Sequence, residues 1–140
     1  IFRDEAHPEI ITNPTERIST RKKIIVGAGW KPGWSTDYVS TKIAEEYNIE
    51  TVINLSNIEY VYDRDPNKYS DAKILKEVNW HNFRKIVGSK WSPGLNMPFD
   101  PIASKNGEKL GLEVVIMNGK NLNNMKKYFS GKNFKGTVIK

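Results

Sequence analysis

Two short apolar runs, Ile24, Ile25 and Val26, then Thr51, Val52, Ile53, Asn54 and Leu55, stand on either side of a segment with helical spacing. Runs of that length, rich in β-branched residues and bounded by turn residues, read as strands. Between them Val39, Ile43, Ala44 and Tyr47 share one face of a helix over roughly residues 36–47, ended by Asn48. Strand, helix and strand joined by short loops form a parallel βαβ unit, whose right-handed crossover puts both strand ends on one edge of the sheet. That restricts the chain to the α/β class. Ligands in such sheets bind beyond the carboxyl ends of the strands, so residues 27–37 and the loop after Leu55 are expected to face one crevice.

The rest of the chain extends this frame. Asn79 is placed to cap a short helix with Trp80, Phe83 and Val87 on its inner side and Gly88 at its end. Asp100 and Pro101 open a clearer helix, with Ala103, Gly107 and Leu110 on one face and Gly111 closing it. Leu112, Val114, Ile116 and Met117 read as a third buried strand. Residues 121–129 read as a helix carrying Leu122, Met125 and Phe129 inward, and Thr137, Val138 and Ile139 as an edge strand. Residues 71–78 fit either element. Residues 89–98 read as a loop of the kind that covers a site, with Trp91 as its exposed aromatic. Residues 1–22, polar and interrupted by Pro8 and Pro14, read as an irregular lead-in. The expected architecture is a mainly parallel sheet, four or five strands wide, between layers of helices.

The loop of residues 27–37 is the first candidate site. Gly27, Gly29 and Gly33 let the backbone approach a ligand without an intervening Cβ, and Ser35 and Thr36 can cap the helix while leaving its first amides to an anion. The site is sized for a phosphate. A plain βα turn with a helix cap is the competing reading. The second candidate follows Leu55: Ser56, Asn57, Tyr60, Tyr62, Asp63 and Asp65 combine rings that stack on a base with groups that pair with base edges, accept from a ribose hydroxyl or hold a hydrated metal ion. The competing reading there is a surface turn built on Asp65, Pro66, Asn67 and Lys68. His7 and His81 stand alone and make no metal site.

Charge narrows the partners. Residues 1–113 hold 16 Lys/Arg against 16 Asp/Glu, so the whole excess of +6 comes from six lysines in residues 114–140. These are spread through a helix and a tail rather than along one face with arginines and aromatics, so no nucleic-acid partner is expected, and mild steering of a small anion is. Without cysteine the chain has neither disulfides nor cysteine-ligated metal, and no apolar run nears the roughly 20 residues that span a bilayer. A soluble, cytoplasmic protein with no membrane contact is expected. The chain opens on Ile1 rather than Met, which reads as a processed, truncated or partly recorded polypeptide.

Five stretches together resemble the carboxyl-terminal half of the uridylate (UMP) kinases of the amino acid kinase superfamily. They are residues 29–37; Asn57 with residues 62–66, Lys68 and residues 71–73; residues 99–103; residues 118–122; and residues 136–139. The resemblance covers nearly everything from residue 23, and implies a three-layer αβα sandwich that moves the γ-phosphoryl of ATP onto UMP with Mg²⁺. It implies that Gly29, Trp30, Lys31, Pro32, Gly33, Trp34, Ser35 and Thr36 line UMP. By the same resemblance Ser56, Asn57, Tyr62 and Asp65 hold ATP, and Asp37 orients the lysines that neutralise the transferred phosphoryl. A homo-hexamer is implied as well. Trp30 and Trp34 depart from the small or polar residues common in that loop, and the lysine-bearing phosphate loop of the family's amino-terminal half has no counterpart in residues 1–22. The chain therefore reads as the nucleotide-binding half of a UMP kinase, inactive without the other half. Its alternatives are a non-catalytic nucleotide-binding or storage module on the same fold, and a carboxylate or carbamate kinase of the superfamily.

Overall fold

The computed structural model describes residues 2–90 and 97–140. Trp91 lies outside the described residues. In chain order the elements are α1 (Thr36–Tyr47), β1 (Thr51–Ser56), β2 (Val61–Tyr62), β3 (Ile74–Leu75), β4 (Glu77–Val78), α2 (Trp80–Val87), α3 (Pro101–Leu110), β5 (Glu113–Asn118), α4 (Leu122–Phe129) and β6 (Thr137–Ile139). Each helix begins where a side chain satisfies a free amide: Ser35 accepts from Tyr38, Asn79 from Asn82, Asp100 from Ile102 and Ala103, and Asn121 from Asn124. Asn48 and Gly111 end α1 and α3 in the left-handed conformation.

Four strands form one sheet in the order β1, β5, β6, β4. β1 runs parallel to β5 with Asn54 beside Ile116, β4 runs parallel to β6, and β5 and β6 are antiparallel. β2 and β3 form a separate antiparallel pair. Alternation along β5 separates the layers. Val114 and Ile116 join Ala44 of α1, Trp80, Phe83 and Val87 of α2 and Ala103 of α3 in the main cluster. Val115 and Met117 are equally buried on the other face. Tyr128 of α4 sits against Glu113 on that second face, where burial first and the Glu113 carboxylate second raise its hydroxyl pKa. The sheet is thus flanked by α1, α2 and α3 on one side and α4 on the other, a mainly parallel three-layer αβα arrangement.

Close packing depends on one small residue in α3. A Cβ at Gly107 would lie 2.7 Å from Cη2 of Trp80. The indole occupies that space and donates its Nε1–H to the Leu112 carbonyl at 2.9 Å.

Three expectations are corrected. Residues 24–26 do not form a strand of the sheet; they make isolated parallel bridges, Ala6 with Ile24 and Ile11 with Gly27, and Val26 is 45% exposed. The lead-in takes five steps where the run takes three, with Pro8 inside the excess, so the ladder is broken, and β1 pairs with β5 instead. Thr137, Val138 and Ile139 lie inside the sheet between β5 and β4, not at its edge. Leu122 and Phe129 do not point inward and are 60% and 67% exposed. α4 is turned by buried Asn124, whose amide donates to the Lys135 carbonyl at 2.6 Å and accepts from the Lys135 N–H at 2.7 Å. Rotating α4 to bury Leu122 and Phe129 would break both bonds.

Candidate functional site

The glycine loop runs into α1 through Gly33, whose φ of 90° is open to glycine at little cost. Gly27 is confined, since a Cβ there would come 3.0 Å from Cδ1 of Ile43, whereas Gly29 meets nothing within 4 Å and leaves its backbone open. Lys31, Pro32, Gly33 and Thr36 are exposed, Trp30 and Ser35 are half-buried, and Ser35 caps the helix at 3.1 Å from the Tyr38 N–H. Trp30, Trp34 and Tyr38 stack in succession along this entry.

Asp37 sits in the first turn of α1, partly buried, and its Oδ2 accepts the Asp100 N–H at 2.9 Å. Burial pushes its carboxyl pKa above the ordinary value. The Asp100 N–H acts in the opposite sense, and the Asp100 charge adds to the rise. Asp100 is buried in turn and holds the first turn of α3, with Ile102 and Ala103 amides at 2.6 and 2.7 Å from Oδ1.

The segment that meets Asp37 also meets β1. Asn54 donates its side-chain amide to the Pro98 carbonyl at 3.3 Å, two residues from Asp100. The start of α1 and the carboxyl-terminal half of β1 are therefore tied to the same short stretch, residues 98–100. Sequence reading missed Asn54 and the Asp100 amide; an amide side chain inside an otherwise apolar run was the available signal for the first.

Beyond β1, Ser56 accepts the Gly119 N–H on its carbonyl at 2.9 Å, and its hydroxyl lies 3.4 Å from Oδ1 of exposed Asn57. Tyr62 is half-buried in β2 opposite Ile74. Asp65 is exposed and builds a turn, with Oδ1 accepting the Asn67 N–H at 3.0 Å and Lys68 Nζ 3.8 Å from Oδ2. Buried Thr137, also missed, anchors this region: its hydroxyl accepts the Val61 N–H at 2.9 Å and donates to the Leu75 carbonyl, fastening β2 and β3 to β6. An opening of about 500 Å³ lined by Glu59, Asn118, Lys120, Asn121, Leu122 and Asn123 lies at the carboxyl end of β5, beside that of β1.

No hydrogen bond among the described residues joins the two loops directly; residues 98–100 relate them. His7 pairs with Thr20 at 3.2 Å, and no group of three His, Asp or Glu positioned to hold a metal occurs among the described residues. None of the described helices is long and apolar enough to cross a membrane.

The sequence model described as the amino acid kinase family matches residues 2–118. The chain belongs to the amino acid kinase family. The match takes in the lead-in as well as residues 23–118. Among curated relatives, the uridylate kinase of Methanobrevibacter smithii is 35% identical over 139 residues, 97% of this chain and 62% of the relative. That of Staphylothermus marinus is 34% identical over 137 residues, 96% of this chain and 61% of the relative. The crystal structure of uridylate kinase from Archaeoglobus fulgidus superposes with a TM-score of 0.80 at 26% identity, covering 98% of this chain and 62% of that one. UMP kinase from Bacillus anthracis, at 22% identity and a TM-score of 0.66 over 82% of this chain and 45% of that one, shares the fold. Within this amino acid kinase family the chain thus spans about three-fifths of the length of the first two relatives.

Proposed function

We propose that residues 23–140 are the nucleotide-binding half of a UMP kinase that transfers the γ-phosphoryl of ATP to UMP. The observation that carries this is the pair of bonds, Asp37 to Asp100 and Asn54 to Pro98, that relates the glycine-loop helix to the end of β1. In this reading Gly29, Trp30, Lys31, Pro32, Gly33, Trp34, Ser35 and Thr36 receive UMP, and Ser56, Asn57, Tyr62 and Asp65 receive ATP. A phosphate oxygen of UMP bonds to the γ-phosphorus as the bond to the β,γ-bridging oxygen breaks, giving UDP and ADP without a covalent enzyme intermediate.

The protein's part is then placement and charge. Free amides at the start of α1 donate to the acceptor phosphate, and Asp37 holds lysines against the transferred group. Mg²⁺ takes most of its ligands from phosphate and water; exposed Asp65 is the side chain of the ATP loop that would take a position on it. When bound with ATP, the ion neutralises phosphate charge.

Because the chain spans 62% of the M. smithii relative, we assign the lysine-bearing phosphate loop to a segment additional to residues 23–140, and assembly as a cytoplasmic homo-hexamer to the protein that includes it. The 140 residues alone should consume ATP in the presence of UMP weakly or not at all; robust UMP-dependent turnover contradicts the assignment. A non-catalytic nucleotide-binding module is the second reading, favoured by the two tryptophans of the acceptor loop. It predicts binding of ADP and never of UMP in separate titrations.

A further inference from the structure

This inference rests on the reading that residues 29–36 receive the acceptor nucleotide. Three rings follow one another at a spacing of four residues across the loop and the first turn of α1. Tyr38 packs against the core cluster, Trp34 stacks on Tyr38 with centroids 4.3 Å apart and planes 20° from parallel, and Trp30 stacks on Trp34 at 6.2 Å and 27°. The ladder thus has a root in the core and an outer end at Trp30. Over the Trp30 ring, 4.5 Å from its centroid, stands the ammonium of exposed Lys31.

A planar ligand extends such a ladder at its outer end, because the fold has already ordered the ring it stacks on. Stacking accepts any base. The cation discriminates, since an ammonium only donates hydrogen bonds and matches a carbonyl oxygen but not an amino group. Both bases carry a carbonyl oxygen at position 2; at position 4 uracil carries a carbonyl oxygen and cytosine an amino group.

We propose that Trp30 stacks on the pyrimidine of the acceptor nucleotide as the next ring of the ladder. Lys31, displaced from the indole, donates to the carbonyl oxygen at position 4 of uracil, where cytosine carries an amino group, and so selects uracil over cytosine. The binding element is therefore the outer end of an aromatic stack rather than the glycine backbone alone.

Isothermal titration of the full 140-residue chain with UMP, CMP and ribose 5-phosphate tests this. Ribose 5-phosphate keeps the phosphate and lacks the base. UMP is expected to bind on the order of tenfold more tightly than ribose 5-phosphate and more tightly than CMP. Trp30→Leu should reduce UMP to the affinity of ribose 5-phosphate, Trp30→Phe should retain most of the difference, and Lys31→Met should bring UMP and CMP together. Equal binding of UMP and ribose 5-phosphate by the parent chain, or undiminished UMP affinity in Trp30→Leu, overturns the stacking role while leaving the acceptor site in place. An unchanged ratio of UMP to CMP in Lys31→Met overturns the role of Lys31. If none of the three ligands binds the parent chain, the acceptor-site reading fails and this inference with it.

Discussion

The carboxylate of Asp37 accepts its 2.9 Å hydrogen bond from the backbone N–H of Asp100, 63 residues further along the chain. Two helix entries are thereby joined, and the joint contains a partly buried carboxyl whose pKa is raised chiefly by burial.

That environment fixes the sign of a pH effect. A carboxyl with a folded pKa above its unfolded value binds protons more tightly when folded, so its contribution favours the fold at low pH and is lost as pH rises through the raised pKa. Asp37→Asn keeps an oxygen for the Asp100 N–H and removes the ionisation. Its melting temperature should match that of the parent near pH 4 and equal or exceed it at pH 7. A variant that loses more stability at pH 7 than at pH 4 contradicts the assignment of burial as the dominant cause.

Thr137→Val keeps the shape of the side chain and removes its hydroxyl. The buried Val61 N–H and the Leu75 carbonyl lose their shared partner. A loss of about 1–3 kcal/mol in denaturant unfolding is expected, together with faster amide exchange at Val61. Unchanged exchange there would show that β2 is held by other contacts.

Gly107→Ala sets helix propensity against packing. Alanine in a helix interior gains about 1 kcal/mol over glycine. Here the new methyl falls 2.7 Å from the Trp80 ring, an overpacking cost of about 1–3 kcal/mol. Net destabilisation with a shifted Trp80 fluorescence signal is expected, and a stabilised variant would mean that the indole moves freely.

In α4 the polar position should outweigh the apolar ones. Asn124→Ala leaves the Lys135 N–H and carbonyl without their side-chain partner and should cost about 2 kcal/mol. Leu122→Gln and Phe129→Gln, at exposed positions, should each stay within about 0.5 kcal/mol of the parent. Thermal melts of the three variants decide the order.

These contrasts show what could be read from the chain alone. The helices were legible because their signals are local: Ser35, Asn79, Asp100 with Pro101, and Asn121 each sit at a helix start, and Asn48 and Gly111 at an end. Sheet order was not, because the pairing of β1 with β5 crosses about 60 residues and leaves no local mark. The rotation of α4 was misread because apolar spacing pointed to Leu122 and Phe129, while the deciding bonds come from Asn124 to Lys135. The same limit applies at the candidate site. The cap at Ser35 and the turn at Asp65 follow from residue type, whereas the ties from Asp37 to Asp100 and from Asn54 to Pro98 exist only in three dimensions.

Three cross-links run in series over one side of the sheet: Asp37 to Asp100 and Asn106 to Thr41 between α1 and α3, and Arg84 to Glu108 between α2 and α3. They make α1, α2 and α3 a single raft, so the glycine loop is moored to a plate and not to one swinging helix. Whatever enters that loop has to bend the few residues ahead of Ser35, because tilting α1 would drag its two neighbours along.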